Sequence, residues 1–307
     1  MAEHHPRASA AHGSSPPRNI VDTHIAAPGP KEAPITTPPD TPPARLPARL
    51  AAWVEAQVAA AARPPLLMVS GAQGLGKSTA IAALAAHPQL RIATLSLDDV
   101  YLTQAARQRL AASIHPLCAT RGPPGTHDLA LLADTLDALA SGHETAIPRF
   151  DKRLDDRAPK AEWPRAPAAP HAIVIEGWLM GVRPAPAPEP APINALEAEE
   201  DPDGQWRGWQ EAALQSGYAQ LWDRADAFLH LDAPGFEVVP RWRLEQEATL
   251  LGTTPARLPP ARRAWVARFV QHYERLTRRM LAGHRRPGAV IRLGPNRQLL
   301  ADGPAQG

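Results

Sequence analysis

A five-residue run, Leu66-Leu67-Met68-Val69-Ser70, stops abruptly at Gly71 and gives way, after more glycine, to the Ala-rich stretch Thr79 to Ala86. A short, unbroken apolar run ending at glycine is the pattern of a strand buried on both faces. A parallel sheet covered by helices on each side offers such a place. The rest of the chain repeats the theme. Arg91 to Leu97 reads as a second strand ending at Asp98-Asp99, and Ala172 to Ile175 reads as a third, with Ala227 to Leu231 and Ala289 to Leu293 completing the set. Helical spacing recurs between them, at Leu129, Leu132, Leu136 and Leu139, around Trp206 to Trp222, over Arg241 to Leu250 and over Arg262 to Leu281. This alternation predicts an α/β fold, a parallel sheet flanked by helices.

Proline marks where that fold cannot extend. Of 36 prolines in 307 residues, 11 lie in residues 1–47 and 10 in residues 159–202, so neither segment can be a long helix or a central strand. Residues 1–46, rich in Pro, Ala, Ser and Thr, are expected to be a disordered tail ahead of one domain over 47–303. That domain opens on a helix carrying Leu50, Trp53, Val54 and Val58 and ending near Pro64-Pro65. Residues 184–204 alternate Pro and Ala, then turn acidic; they read as a solvated insertion without chemistry.

Charge narrows the partners. With 33 Lys+Arg against 31 Asp+Glu and no basic run, nucleic acid is not an expected partner. A single cysteine, Cys118, allows no internal disulfide and no cysteine-based zinc site. The apolar runs fall far short of the roughly 20 residues that span a bilayer, and no apolar stretch follows the first charges. The expectation is a cytoplasmic protein without a membrane partner.

The chemistry starts at Gly71-Ala72-Gln73-Gly74-Leu75-Gly76-Lys77-Ser78, which matches the phosphate-loop pattern G-x-x-x-x-G-K-[ST] and sits between a buried strand and a helix, with Thr79 following. Glycines let backbone amides converge on phosphate oxygens, and the helix adds its positive end. Lys77 is expected to reach the β- and γ-phosphates of ATP and Ser78 to hold Mg²⁺. Ligands of open α/β sheets lie beyond the strand C-termini, which singles out Asp98, Asp99 and Glu176 as a proton acceptor and a metal-side acid. Asp99 has an alternative reading as a helix cap.

Two loops, Arg121 to Asp128 with His127, and Arg149 to Arg153 with Asp151 followed by Arg157, carry the cations expected of an acidic small-molecule acceptor. Arg241 and Arg243 open a helix suited to neutralise charge in phosphoryl transfer. None of Asn19, Asn194 and Asn296 precedes lysine, so the guanine motif N-K-x-D of a GTPase switch is absent. The histidines show no metal-binding spacing, and the eight tryptophans read as packing groups.

Leu95-Ser-Leu-Asp-Asp-Val-Tyr-Leu102, Arg121-Gly-Pro-Pro-Gly-Thr-His-Asp-Leu129, Pro148-Arg-Phe-Asp-Lys152, Ile175-Glu-Gly-Trp178 and Trp242-Arg-Leu-Glu-Gln-Glu247, taken with Gly71 to Ser78, resemble the plant-type D-glycerate 3-kinase family. That family is a branch of the P-loop kinases shared with uridine kinase, phosphoribulokinase and bacterial pantothenate kinase. The resemblance covers about residues 48–300; Val100 stands where an aromatic is more usual. It implies a P-loop kinase fold with a helical lid over about 234–252, ATP and Mg²⁺ as cofactors, and D-glycerate as acceptor. It assigns Asp98 as general base, Lys77 and Arg243 as charge-stabilising residues, and Ser78 and Glu176 as the metal side. Asp99, Tyr101, Arg121, His127, Asp128, Arg149, Asp151 and Arg241 then fall to acceptor binding. A kinase of another hydroxylated acceptor, nucleoside or pantothenate-like, and a non-catalytic ATP-binding regulator are the other readings.

Overall fold

A computed structural model describes residues 45–186 and 191–300 of the chain. The expected tail, up to residue 44, lies outside the described residues. Five strands form one parallel sheet: β1 (Leu66–Gly71), β2 (Ile92–Ser96), β3 (Ala172–Gly177), β4 (Ala227–Asp232) and β5 (Ala289–Arg292), in the spatial order β2-β3-β1-β4-β5. β1, whose apolar run has no polar alternate, is the central strand and is buried along its whole length.

The pleat sorts β1 between two cores. Leu66 and Met68 join Leu95, Ile173 and Ile175 on one face, packed against Leu132, Leu136 and Leu139 of α4 (Leu129–Ala140). Leu67 and Val69 join Val174, Leu229 and Leu231 on the other. There they meet Leu46, Leu50 and Val54 of α1 (Arg45–Ala60) and Ile81 and Leu84 of α2 (Lys77–Ala85). The register is Leu66 opposite Ile173 and Leu67 opposite Ala227, so the C-terminal ends of β1, β3 and β4 align at one edge.

α1 begins at Arg45, two residues before the expected boundary, and Leu46 is already buried. α3 (Gln104–Ser113) follows β2. α5 (Ala195–Glu200) leads to α6 (Gln205–Ala213), which continues through a π-turn at Leu214–Tyr218 into α7 (Ala219–Asp223). α8 (Val239–Leu250) carries Pro240 in its first turn, where the missing N–H costs nothing, and packs on α9 (Pro260–Leu281). Among the described residues no helix is long and apolar enough to cross a membrane.

The acidic end of the 184–204 insertion departs from the solvated reading. Glu197 is buried and accepts from Arg275 of α9 at 2.6 Å, and from the Ile193 amide at 2.9 Å. Asp201, fully buried, accepts from Trp206 N at 2.8 Å and from Arg207 Nε at 2.8 Å. Composition alone hid this, because a buried acid differs from a solvated one only through a distant arginine. Removing one partner of such a pair strands a buried charge, at a cost of about 3 kcal/mol. Glu197→Ala is therefore expected to lower the melting temperature by about 5–10 °C in a scanning calorimeter, with Glu199→Ala, at an exposed position, as the neutral control.

Candidate active site

Beyond Gly71 the chain turns through residues 72–76 into α2. Gly74 has φ of 73°, and a Cβ there would lie 2.8 Å from the backbone of Trp242; Gly76 has φ of 105° and caps α2 without any side-chain hydrogen bond. Only glycine meets both demands, and the open amides at the start of α2 make an anion site. Lys77 is buried and its Nζ donates to Ala72 O at 3.1 Å, folding the side chain back over the loop. Burial pulls its pKa down, opposed by the charges of Glu176 and Asp98. Both polar atoms of the Gln73 side chain are buried beside the cleft and, among the described residues, have no partner, as suits a polar ligand.

Glu176 stands at the end of β3, in register with Val69 on one side and Ser96 on the other. It is buried, and its Oε1 accepts from Ser78 Oγ at 2.9 Å and from Ser96 Oγ at 2.8 Å. Three hard oxygens meeting beside the phosphate loop fit Mg²⁺, which takes one or two protein oxygens and fills its shell with water and phosphate. No group of three or more His, Cys, Asp or Glu suited to a metal exists among the described residues.

After β2, a 3-10 turn over Leu97–Val100 is capped by Ser96 Oγ, which accepts from Asp98 N. The turn separates the two aspartates. Asp98 lines the cleft with Tyr101, and its Oδ2 accepts from Lys152 Nζ at 2.7 Å. Burial pushes the Asp98 carboxyl up, but the Lys152 ammonium, its hydrogen bond and the Tyr101 hydroxyl outweigh it and hold the carboxyl well below the usual carboxylate range. Asp99 points away. It accepts from Arg149 Nη1 at 2.5 Å and from Phe150 N at 3.2 Å, clasping the next loop rather than capping a helix. Burial raises its pKa, against the pull of Arg149.

The cleft beyond these residues holds about 590 Å³. Of the residues anticipated from sequence, Gln73 to Thr79, Asp98, Tyr101, Arg121, Glu176 and Arg243 line it. Gly71 and Ala72 lie behind them in the strand and loop. Arg121 pairs with Asp155 and lies over the Phe150 ring, 5.7 Å from its centre. Its backbone is fixed from above, where Tyr273 Oη donates to Arg121 O at 2.7 Å and Trp178 Nε1 donates to Gly122 O at 3.1 Å. Arg243 is buried, paired with Glu247 at 3.1 Å, and its pKa is lowered by that burial.

Six anticipated acceptor contacts lie off the cleft lining. Asp99 and Arg149 are spent on each other. Asp128 accepts from Leu131 N to cap α4 and from Arg157 at 2.9 Å. Asp151 accepts from the amides of Arg153 and Leu154 within its own turn. Arg241 donates to Pro295 O, pinning the loop after β5. His127 is buried, sharing a hydrogen bond with Tyr218 Oη, and burial pushes it down to about 4, so it is neutral and holds no anion. Conversely Lys152, Trp178, Tyr273 and Arg297 line the cleft without having been singled out as site residues. Arg297 donates to Gly74 O at 2.7 Å. Its position just past the C-terminal end of β5 is the signal that could have found it.

No protein-family model matches the chain. It is 30% identical over 237 residues to the uncharacterized kinase mug58 of Schizosaccharomyces pombe, covering 72% of this chain and 82% of that protein. It is 31% identical over 204 residues to the chloroplastic D-glycerate 3-kinase of Arabidopsis thaliana, covering 61% of this chain but only 42% of that enzyme. D-glycerate 3-kinase from Cryptococcus neoformans shares the fold, with a TM-score of 0.66 over 83% of this chain and 98% of that one at 24% identity.

Two outcomes are expected from this geometry. Asp98→Asn lowers kcat for phosphoryl transfer about 10²-fold or more, whereas Asp99→Asn lowers thermal stability and keeps kcat within about tenfold, both read by steady-state kinetics and melting curves. The second concerns acid. His127, His230 and His272, all buried, are each pulled by burial to about 4 from 6.5. Between those values the unfolded chain holds a proton that the folded chain refuses, so stability falls as pH falls, by up to about 1.4 kcal/mol per pH unit for each histidine. The melting temperature is expected to drop steadily between about pH 6.5 and 4.5, less steeply in His127→Gln.

Proposed function

The chain belongs to the plant-type D-glycerate 3-kinase family of P-loop kinases, and on that premise we propose that it transfers the γ-phosphoryl group of ATP to the 3-hydroxyl of D-glycerate. The observation that carries the reading is Asp98 in one cleft with the phosphate loop, beside Arg121, Lys152 and Arg243, cations that suit an acceptor bearing a carboxylate.

In this reading the amides of residues 73–78 and the start of α2 cradle the ATP phosphates, and Lys77, released from Ala72 O, turns to the β- and γ-oxygens. Ser78 and Glu176 would hold Mg²⁺, which supplies charge neutralisation at the phosphate oxygens. Asp98, kept ionised by its neighbours, accepts the proton of the 3-hydroxyl as that oxygen attacks phosphorus and the bond to the β–γ bridging oxygen breaks. Arg243 steadies the charge that spreads over the transferred group. α8, the helix the family resemblance makes a lid, walls the cleft with Gln246, Thr249 and Leu250 and limits the water that could compete with the acceptor.

The test is ADP release with Mg-ATP against D-glycerate, L-glycerate, uridine, cytidine, pantothenate, ribulose 5-phosphate and no acceptor. The expected result is preference for D-glycerate with 3-phosphoglycerate as product, abolished in Lys77→Ala at unchanged circular dichroism. Preference for a nucleoside overturns the glycerate reading and keeps the kinase. ATP binding without turnover on any acceptor supports a regulator instead.

A further inference from the structure

The cleft's cations differ in what already holds them. Arg121 is paired with Asp155, Arg243 with Glu247, and Arg297 with Glu245, in each case an acid other than the two at the reaction centre. Lys152 is the exception among these, because its partner is Asp98 itself. Lys152 arises from the loop after the short strand Phe150–Asp151, which is clasped to the 3-10 turn by Asp99, so the two ends of the ion pair are held by one hinge. The side chain of Lys152 is 53% exposed and that of Asp98 32%, so the pair opens into the cleft rather than being sealed in the core. Lys152 therefore already holds one carboxylate oxygen of Asp98, Oδ2, before any acceptor arrives.

We infer that Lys152 is a specificity-determining latch: it occupies Asp98 until an anionic acceptor draws the ammonium onto its own carboxylate, which frees Asp98 for the hydroxyl. The inference rests on the kinase reading above, and adds to it the reason why the acceptor must carry a negative charge. A neutral polyol can enter the cleft, but it offers Lys152 nothing better than Asp98. A site that pairs a charge on its acceptor rejects an uncharged analogue more strongly than added bulk does, because the analogue leaves a charged group without its new partner.

The same latch bears on water. In hydrolysis a water oxygen attacks the γ-phosphorus, the β–γ bridging bond breaks with its electron pair leaving on ADP, and one proton of the water passes to Asp98, giving ADP and inorganic phosphate. With the Lys152 ammonium on Oδ2, Asp98 is a poorer acceptor for that proton. Lys152 thereby restrains wasteful turnover of ATP when the acceptor is absent.

The experiment compares the wild-type chain, Lys152→Met and Lys152→Arg at saturating Mg-ATP, with D-glycerate, with its uncharged amide D-glyceramide, and with no acceptor. In wild type, kcat/KM is expected to favour the acid by about 100-fold or more; in Lys152→Met that preference shrinks to within about threefold, while Lys152→Arg keeps most of it. Acceptor-free release of phosphate is expected to rise about fivefold or more in Lys152→Met and to stay near the wild-type rate in Lys152→Arg. Lys152→Arg, which keeps the charge, separates loss of the latch from a site loosened to water. A Lys152→Met enzyme that loses activity equally on acid and amide, with no rise in hydrolysis, overturns the inference. If wild type phosphorylates neither compound, the glycerate reading falls, and acceptor-free hydrolysis alone decides the latch: an unchanged or lower rate in Lys152→Met overturns it.

Discussion

Two hydroxyls, from Ser78 and Ser96, donate to the same oxygen of Glu176, and through it the phosphate loop, β2 and β3 share one point in space. A buried carboxylate is costly unless its lone pairs are satisfied, so these bonds are a condition of the fold as much as an aid to it. They also fix register. A slip of β3 by one residue would turn Glu176 to the opposite face of the sheet and put an isoleucine or a glycine in its place beside Ser78. The site and the sheet are therefore specified by the same contact, and neither can drift without the other.

Around that point the cleft is built from charges that are already matched. Arg243 and Arg262 share Glu247, and Arg107 and Arg121 share Asp155. Shared acids hold long, flexible side chains in one geometry before any ligand binds, so less ordering is left for binding to bear. Arg107 shows how far this goes: it is almost wholly buried and donates to Leu102 O and Ala119 O as well, which joins the segments on either side of α3.

The parts of this architecture that were readable in sequence are those fixed by local chemistry. The phosphate loop is a glycine-rich turn whose backbone path its glycines permit, and β1 and β3 are apolar over their first four residues because both faces are covered. Which polar side chains would face the cleft was not readable in the same way. Asp98 and Asp99 are adjacent and alike, and what parts them is a 3-10 turn and an arginine 50 positions further along. His127 lies inside a basic loop, yet folding of Gly122 to Thr126 upon itself carries it beneath Tyr101 to meet Tyr218. In each case the decision is made by a partner distant in sequence, and pairwise burial leaves no periodicity to read.

The hydrogen bond from Arg297 to Gly74 joins positions separated by 223 residues, and Trp242, whose indole donates to Pro295 O, packs its backbone against the same glycine. The phosphate loop is thus among the first parts of the domain to leave the ribosome and among the last to be finished. Until the chain is synthesised past residue 297, one of the loop's glycine carbonyls lacks its arginine donor. Closing a loop of that length carries an entropic cost that must be met before the contact rewards it. A nascent chain bearing the complete glycine motif is, for the whole of its synthesis, a nucleotide site without its outer clasp.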